Sequence, residues 1–121
     1  MPDPLTEQII AAAIEVHRFL GPGLLESVYE EALCYELAQQ GLSFERQKSV
    51  DVIYKGHVIK GQRLDLVVNG EVIVEIKAAR ALDDIFVAQV LSYLKSTGLR
   101  RGLLINFGQA RLVDGIKRIS L

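Results

Sequence analysis

The two apolar runs at residues 63–68 and 71–77 constrain this chain more than any other feature, because each carries charges that cannot be placed independently. Asn69-Gly70 is a turn signal between runs rich in β-branched residues, so the pair reads as an antiparallel hairpin. Opposed residues in such a pair share a face, and faces alternate along each strand. If Asn69-Gly70 were a simple two-residue turn, Val68 would oppose Glu71 and Asp65 would oppose Val74. Each face would then mix charged and apolar side chains. A shift of one residue sorts them. Leu64, Leu66, Val68, Val72, Val74 and Ile76 fall on one face, and Arg63, Asp65, Glu75 and Lys77 fall on the other. Burying each apolar side chain is worth roughly 1.5–3 kcal/mol, and the shift keeps the charges out of that layer. The sequence therefore predicts an odd-length connection, a type I turn followed by Gly70 in the left-handed region. That register makes Asp65 and Glu75 neighbours, with Lys77 two residues on.

The flanking segments supply the rest of an α/β domain. Ile9, Ala12, Ala13, Val16 and Leu20 recur at helical spacing across residues 5–20. Gly21-Pro22-Gly23 breaks that helix. A second runs over 24–40, with Leu25, Val28, Tyr29, Ala32, Leu33 and Leu37 on its apolar side and Gly41 as its C-terminal cap. Residues 44–54 and 57–68 read as strands joined at Lys55-Gly56. Asp83 or Asp84 caps a third helix that runs to about Ser96 and ends at Thr97-Gly98. Residues 102–107 form a buried-type strand, and 111–121 add a short strand or hairpin. The order is α-α-β-β-β-α-β with a final strand to follow, and the crossover from third to fourth strand should be parallel.

With 121 residues, half of them hydrophobic, the expectation is one domain spanning 1–121 with a packed core. No apolar run approaches the ~18 residues of a membrane helix. Residues 1–4 lack the pattern of a secretory leader, so a cytoplasmic location is expected. Cys34 is the only cysteine, which excludes an internal disulfide, and it reads as a core thiol. Residues 1–45 hold eight acids and one base, whereas 46–121 hold thirteen bases and seven acids. A basic portion attracts acidic polymers such as nucleic acid. Attraction between the two halves of the chain accounts for the same asymmetry.

Two carboxylates placed close together raise each other's pKa, and a divalent cation removes that conflict. An oxygen-rich set suits Mg²⁺ or Mn²⁺, which can polarise a phosphoryl group and generate a hydroxide nucleophile. The Lys77 ammonium could hold the attacking water or neutralise developing charge.

Asp65, followed after nine residues by Glu75-Ile76-Lys77, resembles the D…(D/E)xK signature of the PD-(D/E)XK nuclease superfamily. Gly23-Leu24-Leu25-Glu26-Ser27-Val28-Tyr29 matches the GxxExxY motif of a family of small bacterial proteins in that superfamily. Gln89-Val90-Leu91-Ser92-Tyr93 matches the QxxxY element of RecB-like members. The resemblance covers about 9–107. It implies a restriction-endonuclease-like core, with a mixed sheet of about four to five strands flanked by helices. It implies Glu26, Asp65 and Glu75 as metal ligands, the Ile76 carbonyl as a further oxygen, and Lys77 as the catalytic lysine. Gln89 and Tyr93 would line the site. Apart from the resemblance, Tyr29 one turn on from Glu26 and Arg63 on the acidic face of the hairpin are further candidate substrate contacts. The proline often found before the motif aspartate is absent, Leu64 standing there. The implied cofactor is Mg²⁺ or Mn²⁺, and the implied substrate is nucleic acid, DNA ahead of RNA. A domain this small leaves room for a homodimer or a partner protein to supply grip.

Plainer roles stand beside these. Glu26 suits the positive end of a helix dipole, and Tyr29 suits the core. Gln89 and Tyr93 share a helix face whatever their role. Arg63 could pair with Asp65 or Glu75, or meet phosphate, as could Arg80. His17 and His57 have no metal-ligand spacing and read as surface residues. A non-catalytic binding module on the same core, or a structural salt-bridge network, are the rival readings.

Overall fold

The computed structural model describes residues 3–121; Met1 and Pro2, which entered the reading of the N-terminus, lie outside the described residues. Helix α1 spans Pro4–Leu20, with the Asp3 side chain accepting from the amides of Leu5 and Thr6. Helix α2 is Glu26–Gln39. Strands β1 (Phe44–Tyr54) and β2 (His57–Val68) form a long hairpin, followed by β3 (Val72–Lys77). Helix α3 (Asp84–Thr97) takes Asp83 as its cap and ends at left-handed Gly98. Then come β4 (Arg101–Asn106), a short 3-10 turn, and β5 (Ile116–Ser120). One mixed sheet has the order β1-β2-β3-β4-β5, in which β3 and β4 are parallel and the other neighbours antiparallel. This is the α/β arrangement expected, with β5 completing it.

Each sheet face has its own apolar layer. Helices α1 and α2 cover Leu66, Val68, Val72, Val74, Ile76, Leu103 and Ile105. Helix α3 covers Val50, Leu64, Val67, Ile73 and Leu104. Strands β3 and β4 are thus buried on both sides, as parallel strands usually are. Among the described residues, no helix is long and apolar enough to cross a membrane. Cys34 lies in the core, where burial pushes its thiol up to about 11.

The β2–β3 connection has odd length: Val68 pairs with Val72, and Leu66 with Val74. The turn itself differs from expectation. Asn69 and Gly70 both have positive φ, and the Glu71 amide donates to the Val68 carbonyl. That is a mirror-image turn with Glu71 as the extra residue, not a type I turn closed by glycine. The Asn69 side chain accepts from the amide and hydroxyl of Ser43, which helps hold it in this unusual conformation.

One strand residue departs from simple alternation. Leu64 packs on the α3 side, whereas Leu66 and Val68 pack under α1 and α2. The cause lies across the ladder. Arg46 pairs with Leu66 and Lys48 with Leu64, while Gln47 between them is left-handed, with φ of 51°. Both strands exchange faces there: Phe44 packs with the α1–α2 layer and Val50 with the α3 layer. A local irregularity of this kind re-aims side chains. Asp65 stands at the point of exchange.

Candidate active site

The β2–β3 ladder ends at Leu66 and Val74, and beyond it carboxylates take the place of backbone partners. The Asp65 amide donates to Glu75 Oε1 at 2.8 Å, and the Ile76 amide donates to Asp65 Oδ2 at 2.8 Å. Each acid is therefore fastened to the backbone of the opposite strand. The two carboxylates share one site, as the register argument required. Glu75 is almost fully buried and Asp65 is half-buried.

Burial and proximity set the electrostatics. Removal from water pushes Glu75 up to about 8, and the Asp65 charge adds to that; the Asp65 amide and Lys77 pull the other way. Asp65 is also raised, chiefly by burial, against the lowering effects of the Ile76 amide, Gln47 and Lys77. Glu26 lies near enough to raise both. Tyr93, on the inner face of α3, is raised by burial and by the same two carboxylates, so it borders them. Lys77 Nζ sits 4.6 Å from the Phe86 ring centroid, a cation–π contact that fixes the lysine against α3.

A cleft of about 490 Å³ opens on the other side of Asp65, lined by Glu26, Ser27, Glu30, Gln47 and Asp65. Two of these residues went unnoticed in the sequence. Gln47 Nε2 donates to Glu30 Oε1 at 2.8 Å and reaches Asp65 Oδ1 at 3.4 Å. Glu30 is buried and is also held by the Arg46 guanidinium at 3.0 Å. Glu30 follows Glu26 by four residues, so shared helical spacing was an available signal. Nothing in the string singles out Gln47, whose role comes from its left-handed backbone.

The remaining expected site residues divide. Glu26 opens α2 and lines the cleft rim while largely exposed. Tyr29 is fully buried and stacks on Phe107 at 4.6 Å. Its hydroxyl donates to the Gly21 carbonyl at 2.5 Å and accepts from the Leu24 amide at 3.1 Å. It therefore clasps the Gly21–Leu24 turn that delivers Glu26, and does not line the cleft. Gln89 is exposed one turn before Tyr93. Arg63 is exposed and makes no ion pair with a carboxylate among the described residues; the exchange of faces puts it opposite Leu64 and so away from the α3 side. His17 is tied in by a 2.9 Å bond between its Nε2 and the Gln109 carbonyl, more than a surface role requires.

Among the described residues, no three His, Cys, Asp or Glu side chains converge tightly enough to hold a metal ion by themselves. The donor chemistry nonetheless suits a hard cation. Asp65 and Glu75 offer only oxygen, they repel each other, and no cation of the chain forms a salt bridge with them among the described residues. Mg²⁺ is commonly bound by one or two carboxylates with several retained waters.

The family model of the PD-(D/E)XK nuclease superfamily matches residues 3–119. Searches of curated proteins and of solved structures return no significant match.

Proposed function

We propose that this chain, which belongs to the PD-(D/E)XK nuclease superfamily, is a Mg²⁺- or Mn²⁺-dependent phosphodiesterase acting on nucleic acid, with DNA preferred to RNA. The observation that carries this reading is the reciprocal fastening of Asp65 and Glu75, which leaves two mutually repelling carboxylates side by side next to Lys77.

In this reading Asp65 and Glu75 hold the cation, and the Ile76 carbonyl adds a neutral oxygen. The N–H and C=O of one strand residue leave the same edge, and the Ile76 N–H already points at Asp65. Glu26 completes the set from the cleft rim, directly or through water. The bound cation would supply Lewis-acid polarisation of the phosphodiester. The chain's own groups do the rest. Lys77 neutralises charge developing on the phosphoryl oxygens or orients the attacking water. Gln47 steadies Asp65 by donating to it, and Glu30 with Arg46 steadies Gln47. Tyr29 is a positioning residue acting through the Gly21–Leu24 turn on Glu26. Tyr93 and Gln89 lie on the α3 side, where the substrate backbone would pass.

A second reading rests on the exposure of Glu26 and on the lack, among the described residues, of a tight three-acid cluster. There the core binds nucleic acid or a protein without turnover. Cleavage of DNA and RNA in Mn²⁺ distinguishes the two. The nuclease reading requires cleavage by the unaltered chain and its loss in Asp65→Asn and in Lys77→Met. Salt-sensitive binding without cleavage, little changed by Lys77→Met, supports the binding module. Cleavage that survives both substitutions defeats the site assignment.

A further inference from the structure

Two apolar surfaces lie uncovered, and they complement each other. The first is the outer face of α1 and α2. Helix α1 buries Ile9, Ala12, Ala13 and Val16, yet leaves Phe19 74% exposed. Helix α2 buries Tyr29, Leu33 and Leu37, but Leu25 at its N-cap is 74% exposed and Val28 is exposed too, against the continuous apolar side expected from the sequence, and Tyr35 is 63% exposed beside them. Leu20, Val28, Ala32, Tyr35 and Phe44 line a groove of about 830 Å³ on this face. A hollow of about 290 Å³ continues it past Phe19, sharing Leu20, Ala32 and Tyr35. Glu15, Glu31 and Glu36 stand at the edges.

The second surface is the far half of the β1–β2 hairpin. Strand β3 pairs with β2 only from Leu66 onward, so the hairpin beyond Asp65 runs on as a two-stranded ribbon. Its cross-strand pairs are apolar on both faces. Ile53 lies opposite Val58 on one, and Val52 lies opposite Ile59 on the other. Ile53 is 63% exposed, and Tyr54, Val58 and Ile59 are exposed as well. A bare ribbon of this kind is marginal in water and gains stability when its apolar residues are covered.

We propose that the chain forms a two-fold dimer in which the hairpin arm of each copy seats in the α1–α2 groove of the other. Charge favours this pairing over like-with-like contact. The two helices carry six acids and one base, and Arg46 of β1 also lines the groove, whereas the arm itself, residues 50–63, carries Lys55, Lys60 and Arg63 against the single acid Asp51. Reciprocal exchange closes the assembly, so neither surface remains free to propagate a filament. The inference does not depend on the nuclease reading, since neither surface includes Asp65, Glu75 or Lys77.

Sedimentation equilibrium of the full chain tests it, with Ile53→Lys as the arm variant, Tyr35→Glu as the groove variant and Val58→Lys as a second arm variant. These positions are exposed, and circular dichroism with thermal melting checks that each variant folds. The unaltered chain should sediment at twice its 13.4 kDa mass. Each variant alone should dissociate with at least about tenfold weaker affinity. An equimolar mixture of Ile53→Lys and Tyr35→Glu should recover the dimer, because one intact arm then meets one intact groove and the two opposite substituted charges meet in the other contact. A monomeric unaltered chain, a dimer indifferent to both substitutions, or a mixture that stays monomeric each overturns the proposal. So does a monomer whose duplex-DNA binding is weakened by Ile53→Lys, which would make the arm a nucleic-acid contact.

Discussion

Replacing Glu75 by glutamine should stabilise the metal-free protein, and the gain should grow with pH. Glu75 is 4% exposed, and burial beside Asp65 raises its pKa from 4.5 to about 8. A carboxyl whose folded pKa is raised holds its proton more tightly in the fold than in the unfolded chain. Its contribution to stability is full below about pH 4.5 and is lost as pH climbs toward about 8. At 1.36 kcal/mol per unit, the loss between pH 4.5 and neutrality amounts to about 3 kcal/mol. Glutamine imitates the protonated acid. It keeps the Oε1 that accepts the Asp65 amide but cannot ionise. The assay is urea denaturation of both proteins in a chelator across this pH range. The unaltered chain should lose ground against Glu75→Gln by about 3 kcal/mol between its acidic and neutral ends. A stability difference that stays flat with pH would refute the reasoning, because it would mean that Glu75 ionises as easily in the fold as in water.

Other expectations follow from individual contacts. Arg46→Ala strands the buried Glu30 carboxylate and should cost about 2–3 kcal/mol by chemical denaturation, and adding Glu30→Gln should return most of that. Tyr29→Phe removes both bonds that clasp the Gly21–Leu24 turn and should cost about 1–3 kcal/mol; it should slow cleavage through Glu26 while leaving nucleic-acid affinity unchanged in a filter-binding assay. Gln47→Gly relieves a left-handed side-chain residue yet removes the donor to Asp65 and Glu30, so thermal melting should change little while cleavage falls, on the order of tenfold. Gly108→Ala should be strongly destabilising in a melt, because its new methyl group would meet the Ala79 backbone, which the buried Asn106 side chain holds in place.

Most of the fold was legible from local patterns. The ends of β1 and β2, the Asp83 cap and the Gly98 stop all follow from turn and capping residues. The adjacency of Asp65 and Glu75 was legible because a one-residue slip would have buried charge against five or six apolar side chains. The left-handed Gln47 was not legible, since nothing about a glutamine between Arg46 and Lys48 announces it. Its consequences were hidden with it: Leu64 on the α3 side, Arg63 turned away, and the Glu30–Gln47–Asp65 chain of bonds. Periodicity also overstated α2. It identifies apolar positions but not which of them the rest of the chain is large enough to cover, so Leu25 and Val28 remain in water. Tyr29, read from the sequence as a substrate contact or a core residue, is buried and holds the turn that precedes Glu26.

Everything proposed about chemistry requires Asp65 and Glu75 to hold one divalent cation between them. Calorimetric titration of the chain with Mn²⁺ near pH 7, repeated in buffers of different ionisation enthalpy, measures both the binding and the protons it displaces. Glu75 is still protonated there, so the account predicts a single site that releases close to one proton per ion and disappears in Asp65→Asn and Glu75→Gln. No measurable binding, or binding that releases no proton and survives both substitutions, would contradict it.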